Sequence, residues 1–567
     1  MKRITLLLTT LFLLTSVVAR AQIFTTSALT GDVVEGETLT NFSQFVAPQI
    51  LTNGQTVFTA NTAGGEQAIV AQNQIAFLTG SQVPGAAPGV TYDVFGTLIA
   101  NDQGDQALLS LFDGAPISSA NDRGIVIREG GTSDLAIQKG DSVAGTGDTC
   151  DSLSLMSYDS AGDGTFRCTL ASSGETSISY LPQSGGSPEQ LITQTGVTVD
   201  SNQVVEVNSV TTNASRRLAL YLRKWAPVVT GSAALDLAGR ILPTTTGLVE
   251  SGDSGFGLPA GTTVKDLFVP KVNDAGQVTV FTEYQGFVSG TSVHQFQIDD
   301  TSISSGRSIA KTGDPAPGLV NHDFSFFSVF DANESGDVIL VATAEELGGG
   351  FVDGVWYEDT GRTLTLAGHN GQQAPGLDPG VVMTQIAFPA FNDQNQVAFK
   401  SHLSGPGVNF SQNDEALWAT DLNGDLQMVV RKGDQFDVDD NSNTEELRTI
   451  TAIAPILNSA GTGGSSTSFN DAGQLAFTLF FSDFTSGVFV ADLSGSSSTD
   501  TDNDGDVDGL DFLSLQRDDP PLIPTWLTEY GSGANSVAET QAVPEPSGWR
   551  LLFAVFATVI LGRRSHS

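Results

Sequence analysis

Short runs in which apolar and polar residues alternate fill most of the chain from residue 24 to residue 493. Thr363-Leu364-Thr365-Leu366 is a representative run, and clusters of Gly, Asn, Asp and Ser separate such runs. A period of two residues is typical of a β-strand with one buried face, whereas a helix needs apolar residues three and four apart. Because long patterns of the helical kind are nearly absent, the sequence predicts an all-β protein.

A Gly-Asp turn element recurs along the same stretch. Its eight copies, some with a different second residue, are Gly31-Asp32, Gly80-Ser81, Gly140-Asp141, Gly196-Val197, Gly252-Asp253, Gly313-Asp314, Gly371-Gln372 and Gly433-Asp434. Successive copies are 49 to 62 residues apart. Self-similarity at a nearly constant period predicts repeated units that stack or are arranged radially, because no single unit buries its apolar face alone.

A second motif lies inside each period, with Asn-Asp-x-Gly as its fullest form. Clear copies begin at Asn273, Asn392 and Asn470, and looser copies begin at Asn53, Asn101 and Asn333. Asn and Asp side chains bond the local backbone in such turns, and Gly supplies the positive φ. The flanking alternating runs make this a hairpin turn. The strand before it often carries Pro, as at Pro270 and Pro389, which predicts an edge strand because Pro cannot donate to a ladder.

Two further strands complete each period, for example around residues 354–357 and 363–366. Four short antiparallel strands in a unit of about 58 residues are typical of a propeller blade. We therefore predict a β-propeller of eight four-stranded blades over residues 22–493. The motif is weak between residues 150 and 250, so seven blades are the alternative. A right-handed β-helix is disfavoured because its coils are far shorter than this period.

The two ends of the chain indicate export. Residues 1–21 combine Met1-Lys2-Arg3, a short apolar run and Ala19-Arg20-Ala21, which is the pattern of a secretory signal peptide. An N-terminal membrane anchor is the weaker alternative, because the run is short for a span. Residues 541–567 contain Val543-Pro544-Glu545-Pro546, an apolar stretch from 551 to 561 and a basic tail at 563–564. We predict a C-terminal hydrophobic anchor helix there; an interfacial tail is the alternative.

This C-terminal segment resembles the PEP-CTERM sorting signal of bacterial exosortase substrates. The resemblance implies recognition by an exosortase-type sorting transpeptidase, removal of the tail, and delivery to the cell envelope, cell surface or extracellular matrix, with the membrane as a partner before processing. Arg550 departs from the pattern, since it leaves only eleven clean apolar residues. Residues 24–493 resemble bacterial surface proteins with tandem N-x-x-G-x-x-A-F repeats and a variable anchor.

An acidic loop precedes the tail. Its carboxylates fall at positions that suit a calcium loop, with Gly505 at the sharp bend: Asp500, Asp502, Asp504, Asp506, Asp508 and Asp511. Calcium takes six to eight oxygen ligands, which this spacing supplies, and a disordered acidic linker is the alternative. The loop and the apolar run after it are similar to one half of a dockerin. We therefore predict a small calcium-loop and helix module over residues 494–540, with Ca²⁺ as its cofactor, although the second ligand set of a dockerin is missing.

The charge of the chain argues against one class of partner. The formal net charge is −39, from 64 acidic against 25 basic residues, so no nucleic-acid partner is expected.

Cys150 and Cys168 flank a predicted hairpin, and in an exported protein they form either a disulfide or two buried free thiols.

No catalytic constellation stands out in the sequence. The Asn-Asp and Gly-Asp pairs recur as turn architecture, and His294, His322, His369 and His402 lie far apart without a metal-binding spacing. The leading hypothesis is a non-catalytic, envelope-displayed propeller that has a binding or structural role toward a glycan, a matrix polymer or another surface protein. The alternative is a secreted polysaccharide-active lyase or glycosidase, for which Asp, Glu, His and Arg from different blades would meet at one channel mouth. A cohesin-binding scaffold component is a third, weaker hypothesis.

Overall fold

The computed structural model describes residues 23–494, 509–518, 523 and 526, with gaps in the first range at 44–45, 182–187, 194–197, 200–201, 213–217, 225–228, 236–243, 251, 255–256, 269, 300–301, 440–445 and 458–463. The chain divides into two compact units, Met1–Gly495 and Ser496–Ser567.

The first unit is built from β-sheets that follow one another along the chain. Blade 1 contains β2 (Val33–Val34), β3 (Glu37–Phe42), β4 (Gln49–Ile50), β5 (Thr56–Thr62), β6 (Gln67–Ala71) and β7 (Gln74–Leu78). Blade 2 contains β8 (Thr91–Ala100), β9 (Gln106–Asp113), β10 (Arg123–Glu129) and β11 (Thr132–Gln138). Blade 3 contains β12 (Ser142–Val143), β13 (Asp148–Tyr158), β14 (Gly164–Leu170), β15 (Thr176–Leu181) and β16 (Glu189–Thr193).

A closed sheet follows blade 3. It contains β17 (Thr198–Val199), β18 (Asn202–Thr212), β19 (Leu218–Lys224), β20 (Val229–Leu235) and β21 (Thr244–Glu250). Its first and last strands pair in parallel, Thr198 opposite Thr244, so the sheet closes on itself as a five-stranded barrel.

Open antiparallel sheets resume after it. Blade 4 contains β22 (Thr262–Leu267), β23 (Lys271–Val272), β24 (Gln277–Gly286), β25 (Gly290–Asp299) and β26 (Ser302–Lys311). Blade 5 contains β27 (His322–Ala332), β28 (Val338–Glu346), β29 (Phe351–Glu358) and β30 (Leu364–His369). Blade 6 contains β31 (Val382–Phe391), β32 (Val397–Ser404), β33 (Glu415–Thr420) and β34 (Leu426–Arg431). Blade 7 contains β35 (Gln435–Asp437), β36 (Leu447–Ile453), β37 (Gln474–Phe481), β38 (Ser486–Asp492) and the N-terminal strand β1 (Ile23–Leu29).

The fold is therefore an all-β, seven-bladed propeller, as the alternative count predicted. The prediction of eight equivalent blades is wrong, because the segment from 198 to 250 forms the closed sheet instead of an open blade. This is the stretch in which the Asn-Asp-x-Gly motif is replaced by other residues. The closure comes from the parallel pairing of the end strands β17 and β21, which no local turn motif signals.

The predicted strand order and turns are confirmed in the regular blades. The Pro-bearing strand β31 is the edge strand of its sheet, and β32, β33 and β34 follow in order. The Gly-Asp turns join consecutive blades: the Gly313 N–H donates to the Phe324 carbonyl at 2.7 Å, and the Gly433 N–H donates to the Ile450 carbonyl at 2.8 Å. Both glycines have positive φ, 90° and 91°, which glycine adopts without steric cost.

The propeller is closed by strands from the two ends of the unit. Strand β1 pairs antiparallel with β38, with Ile23 opposite Asp492 and Leu29 opposite Gly487. The N-terminal strand is thus the outermost strand of the last blade. Phe24 on β1 packs edge-on against Phe436, with ring centroids 5.0 Å apart.

Apolar side chains fill the spaces between neighbouring sheets. Trp356 lies in the cluster between blades 4 and 5, and Trp418 lies between blades 5 and 6, both without exposed surface. Phe477 and Phe489 occupy the cluster between blades 6 and 7. Removing one such ring costs about 3–5 kcal/mol, so each blade depends on its neighbours for stability.

Cys150 and Cys168 form a disulfide across β13 and β14, with their Cα atoms 5.7 Å apart. The predicted hairpin is present, since Leu153 pairs with Cys168 and Leu155 with Phe166.

In the second unit, α1 spans Gly509–Asp518. Leu515 on α1 is buried, and the Phe512 ring lies 4.8 Å from the Trp526 ring. Among the described residues, no helix has the length and apolar character needed to cross a membrane. The predicted signal peptide at 1–21, the anchor helix at 541–567 and the calcium-loop residues 500–508 lie outside the described residues.

Candidate functional site

The Asn-Asp-x-Gly turns of the seven blades meet around the propeller axis, where each joins the first and second long strands of its blade. We call them the axial turns. Their first two residues are Leu51-Thr52, Asn101-Asp102, Asp159-Ser160, Asn273-Asp274, Asn333-Glu334, Asn392-Asp393 and Asn470-Asp471.

The first residue of an axial turn fixes the turn and also links it to the next blade. In Asn333, Oδ1 accepts a hydrogen bond from the Asp337 N–H at 2.8 Å, within the same turn. Its Nδ2 donates to the Asn392 carbonyl of the next blade at 3.0 Å. Asn392 donates in the same way to the Asn470 carbonyl, and Asn470 to the Leu51 carbonyl, both at 2.8 Å. One side chain type thus shapes each hairpin and holds neighbouring blades together.

The second residue of an axial turn is acidic in five blades. We call these five carboxylates the acidic ring: Asp102, Asp274, Glu334, Asp393 and Asp471. Three of them accept a backbone N–H from the preceding blade. Glu334 accepts from Asp274 N–H at 2.8 Å, Asp393 from Glu334 N–H at 2.8 Å, and Asp471 from Asp393 N–H at 2.7 Å.

The carboxylates of the acidic ring influence one another across the axis. Burial, together with the negative charges of Asp471, Asp393 and Asp274, raises the pKa of Asp102 to about 7. Burial and Asp471 raise the pKa of Asp393 to about 6, against the opposing effect of the backbone N–H groups that it accepts. Carboxylates of blades 2, 5, 6 and 7 converge, because Asp102, Glu334, Asp393 and Asp471 line the same concavity.

A segment inserted before the last axial turn lies beside this ring. Asn392 and Asn470 are 78 residues apart, whereas Asn333 and Asn392 are 59 apart. Within the insertion, Thr467 bridges to Ile50 of blade 1, and Ser465 bridges to Asn101 of blade 2. The insertion therefore spans the ends of several blades near the axis.

Four of the five acidic-ring residues, Asp102, Glu334, Asp393 and Asp471, line one concave site together with the insertion. Its walls contain Ile50, Thr52, Asp102, Glu334, Phe391, Asn392, Asp393, Ser465, Thr467, Phe469, Asn470 and Asp471. Most of the polar atoms come from axial turns, so the site is acidic and opens at one face of the propeller.

Asp159 stands at the position where five of the other blades have Asn and blade 1 has Leu51. Only 1% of its surface is exposed. Its Oδ1 accepts the N–H groups of Ala161 and Asp163 at 3.0 and 2.9 Å, as the Asn Oδ1 does elsewhere. Among the residues that the structure describes, none forms a hydrogen bond with its Oδ2. Burial, with the charges of Asp163 and Asp274, raises the pKa of Asp159 to about 7.

The histidines do not join this site. His294 is buried in blade 4, and burial lowers its pKa to about 4. The Nδ1 atom of His322 lies 2.8 Å from the Val320 carbonyl, that of His369 lies 2.8 Å from the Asn370 carbonyl, and His402 lies 3.9 Å from Asp414. Within the part of the chain that the structure describes, no three His, Cys, Asp or Glu side chains are grouped to hold a metal ion.

The predicted turn chemistry is present, whereas the convergence of the acids was not predicted. The sequence motif predicts a turn role for Asp274, Asp393 and Asp471, whereas the carboxylates of Asp393 and Asp471 accept a backbone N–H of the neighbouring blade. Their recurrence at one motif position was the available signal, but it indicates a ring only when the blades are known to surround an axis. Of the predicted calcium ligands, Asp511 falls within α1, and the others lie outside the described residues.

The model of a family of unknown function, DUF7453, matches residues 17–217 and 230–494 of this chain. No curated protein is similar to the chain in sequence.

Solved structures show only weak likeness. A puromycin-hydrolysing peptidase of Mycobacterium tuberculosis has 10% identity and a TM-score of 0.34; the match covers 72% of this chain and 54% of the peptidase, so the chain spans about half its length. The WD40 domain of SCAP from fission yeast has 9% identity and a TM-score of 0.38, with 84% and 98% covered. Oligogalacturonate lyase of Vibrio parahaemolyticus has 8% identity and a TM-score of 0.34, with 67% and 93% covered. No activity is inferred from these likenesses.

Proposed function

Because the chain belongs to the DUF7453 family, whose function is unknown, we propose its role from its architecture and from the two ends of its sequence: a non-catalytic propeller, displayed on the cell envelope, that binds or organises material of the surface or extracellular matrix. Glycans, matrix polymers and other surface proteins are the ligand classes that suit such a position.

The use of the acidic ring as architecture is the observation that supports a non-catalytic role. Glu334, Asp393 and Asp471 each accept a backbone N–H from the preceding blade. A general acid or base must instead direct its carboxyl at a substrate proton. Carboxylates that repeat from blade to blade and bond the backbone in the same way stabilise the ring of turns.

We propose the cellular location from the two ends of the sequence. The signal peptide at 1–21 directs export, and the segment at 541–567 holds the protein in the membrane until an exosortase-type transpeptidase removes it. The test compares cell-surface protease accessibility of the tagged protein with that of a variant in which Pro544, Glu545 and Pro546 are Ala. We expect the native protein at the surface and the variant retained in the membrane fraction with its tail uncut. Equal surface exposure with an uncut tail in both would contradict the proposal.

A polysaccharide-active enzyme is the second candidate, and one observation favours it. Asp102 and Asp393 come from different blades, line the same concave site, and have pKa values of about 7 and 6. A protonated and an ionised carboxyl can coexist there near neutral pH, as glycoside hydrolysis requires.

Incubation of the purified protein with a panel of polysaccharides separates the two candidates. New reducing ends or unsaturated products that disappear in Asp102→Asn and Asp393→Asn, but not in Asp378→Asn on an exposed loop, would establish the enzyme. No product with any polymer is the result expected from the leading proposal.

A further inference from the structure

Each blade presents two different ends. Because strands alternate in direction, the axial turns lie at one end of every blade, and the hairpins between the second and third long strands lie at the other end with the Gly-Asp turns. We call this second surface, in blades 4 to 7, the hairpin face. Its hairpins are residues 286–290, 346–351, 404–415 and 481–486.

An exposed apolar side chain stands on each of these four consecutive hairpins. Phe287 is 89% exposed, Leu347 is 74% exposed, Phe410 is 88% exposed and Phe484 is 93% exposed. Single exposed apolar residues are common on protein surfaces. Here four exposed apolar side chains, three of them Phe, stand at the equivalent hairpin of successive blades. Packing in the core does not explain this pattern.

The backbone at Phe484 strengthens this point. Its φ is +67°, in the left-handed region that favours Gly and Asn. A bulky residue there costs about 1–2 kcal/mol, and a nearly fully exposed ring returns no packing energy. The hairpin is nevertheless well held, since the Phe484 N–H donates to the Phe481 carbonyl at 3.1 Å and Arg448 lies 3.5 Å from Asp483. Strain without a structural return is typical of functional positions.

The Phe287 ring lies over a glycine. A Cβ added at Gly261 would lie 2.2 Å from this ring, so the ring lies close against the Gly261 backbone. Its outer face is open to solvent, since Phe287 is 89% exposed.

The three Phe-bearing hairpin tips carry no unpaired charge. Residues 286–290 and 405–412 contain no ionisable side chain, and Asp483 beside Phe484 lies 3.5 Å from Arg448. The rest of this end of the blades is acidic, since Glu345 and Glu346 are exposed beside Leu347 and Asp434 is exposed in a Gly-Asp turn. The Phe-bearing tips themselves therefore suit an uncharged partner.

We propose that the hairpin face of blades 4 to 7 binds a neutral polysaccharide, whose sugar rings stack on Phe287, Phe410 and Phe484. This deepens the proposed function by naming its ligand class, and it rests on that function. The apolar C–H face of a sugar ring complements the electron-rich face of a Phe ring.

A polymer of repeating rings matches an aromatic that repeats from blade to blade. Exposed amides and hydroxyls beside the rings, at Ser289, Asn409 and Gln412, supply hydrogen bonds to sugar hydroxyls. A protein partner would instead require a contiguous apolar centre. A bilayer would be reached through basic residues, which these hairpin tips lack.

The test compares the full-length protein with the triple variant Phe287→Ser, Phe410→Ser, Phe484→Asn. The probes are amylose, a soluble β-1,3-glucan and cellulose, with phosphatidylcholine vesicles as a separate arm. Leu422→Ser with Leu513→Ser is the matched control, because both leucines are exposed and lie outside the hairpin face. Binding is measured by affinity electrophoresis or co-sedimentation, and folding by circular dichroism.

We expect the native protein and the control to bind at least one of the three polymers, and the triple variant to bind it at least tenfold more weakly while unfolding at the same or a higher temperature. Equal binding by the triple variant, binding to none of the polymers, or binding to the vesicles alone would overturn the proposal. These outcomes are separate from the proposed function, since absence from the cell surface or cleavage of a polymer would contradict that function without deciding where a polymer binds.

Discussion

At the scale of single residues, the choice between Asn and Asp at the first position of an axial turn decides what the turn can donate. Asn101 donates its Nδ2 to the Asp159 carbonyl at 3.1 Å, as other Asn residues do around the ring. Asp159 has an oxygen where those residues have nitrogen, so its carboxylate cannot continue the series of donors unless it carries a proton. The motif in the sequence includes both residues, and only the structure shows that they are not equivalent.

We predict that Asp159→Asn stabilises the protein at pH 8 by about 1–2 kcal/mol, because a buried carboxylate that is ionised at this pH is replaced by a neutral amide. The pKa of Asp159 is raised to about 7, so its protonated form favours the folded state; that contribution is complete below the unfolded pKa near 3.8 and is lost as the pH rises through 7. In urea unfolding experiments at pH 8, Asp159→Asn should therefore show a higher free energy of unfolding than the native protein.

The reverse change in blade 5, Asn333→Asp, is the matched control and should destabilise the protein more at pH 8 than at pH 5. Equal stability of Asp159→Asn and the native protein at pH 8 would show that the Asp159 carboxyl is satisfied in some other way.

At the scale of elements, the repeat explains most of the fold. Alternating runs and two turn motifs were sufficient to predict the strands of blades 4 to 7, since each strand has its own local signal. The role of β1 could not be predicted, because its pairing with β38 depends on two alternating runs more than 450 residues apart in the chain. The closed sheet was also missed, because its closure depends on the pairing of its first and last strands, β17 and β21, which are far apart in the chain and share no turn.

We predict that Phe24→Ala lowers the free energy of unfolding by about 2 kcal/mol, less than for a fully buried ring because Phe24 is only partly buried. The ring lies between Phe436 and Phe477, at centroid distances of 5.0 and 6.2 Å, so its removal weakens the contact between β1 and blade 7. Val33→Ala, at an exposed position soon after β1, should change the stability little. Urea unfolding followed by tryptophan fluorescence measures both, and equal effects would contradict a closing role for β1.

A second prediction at this scale concerns the second unit. We propose that Asp500, Asp502, Asp504, Asp506, Asp508 and Asp511 bind one calcium ion. Calorimetric titration of the full-length protein should show one site, and Asp502→Asn with Asp504→Asn should weaken it at least tenfold because two charged oxygens are lost. Asp518→Asn, at the far end of α1, is the control. Absence of heat at millimolar calcium would contradict the site.

At the scale of the whole molecule, charge follows the arrangement of the turns. The acidic ring gathers carboxylates at the axis, whereas the Phe-bearing tips of the hairpin face carry no unpaired charge. The sequence shows the formal charge of −39, but the end of the blade at which each charge lies depends on the direction of the strand that precedes it.

We predict that the native protein is less stable at pH 8.5 than at pH 5. The pKa values of Asp102 and Asp393 are raised to about 7 and 6, so both favour the folded state when protonated, and this contribution is lost as the pH rises through those values. The double variant Asp102→Asn, Asp393→Asn should lose part of this pH dependence in thermal unfolding, whereas Asp378→Asn should retain it. An unchanged profile in the double variant would show that the ring does not control the pH response.

The closing of blade 7 by β1 has a consequence for how copies of the protein meet while they fold. Strand β1 is made first, but its partner β38 is made more than 450 residues later. In that interval, strand β38 of a copy whose synthesis is complete can pair with β1 of another copy instead of with its own β1. The two chains are then linked by the same antiparallel ladder, which is domain swapping. Refolding at high concentration should therefore yield linked dimers and chains of molecules, whereas refolding at high dilution should yield single closed rings.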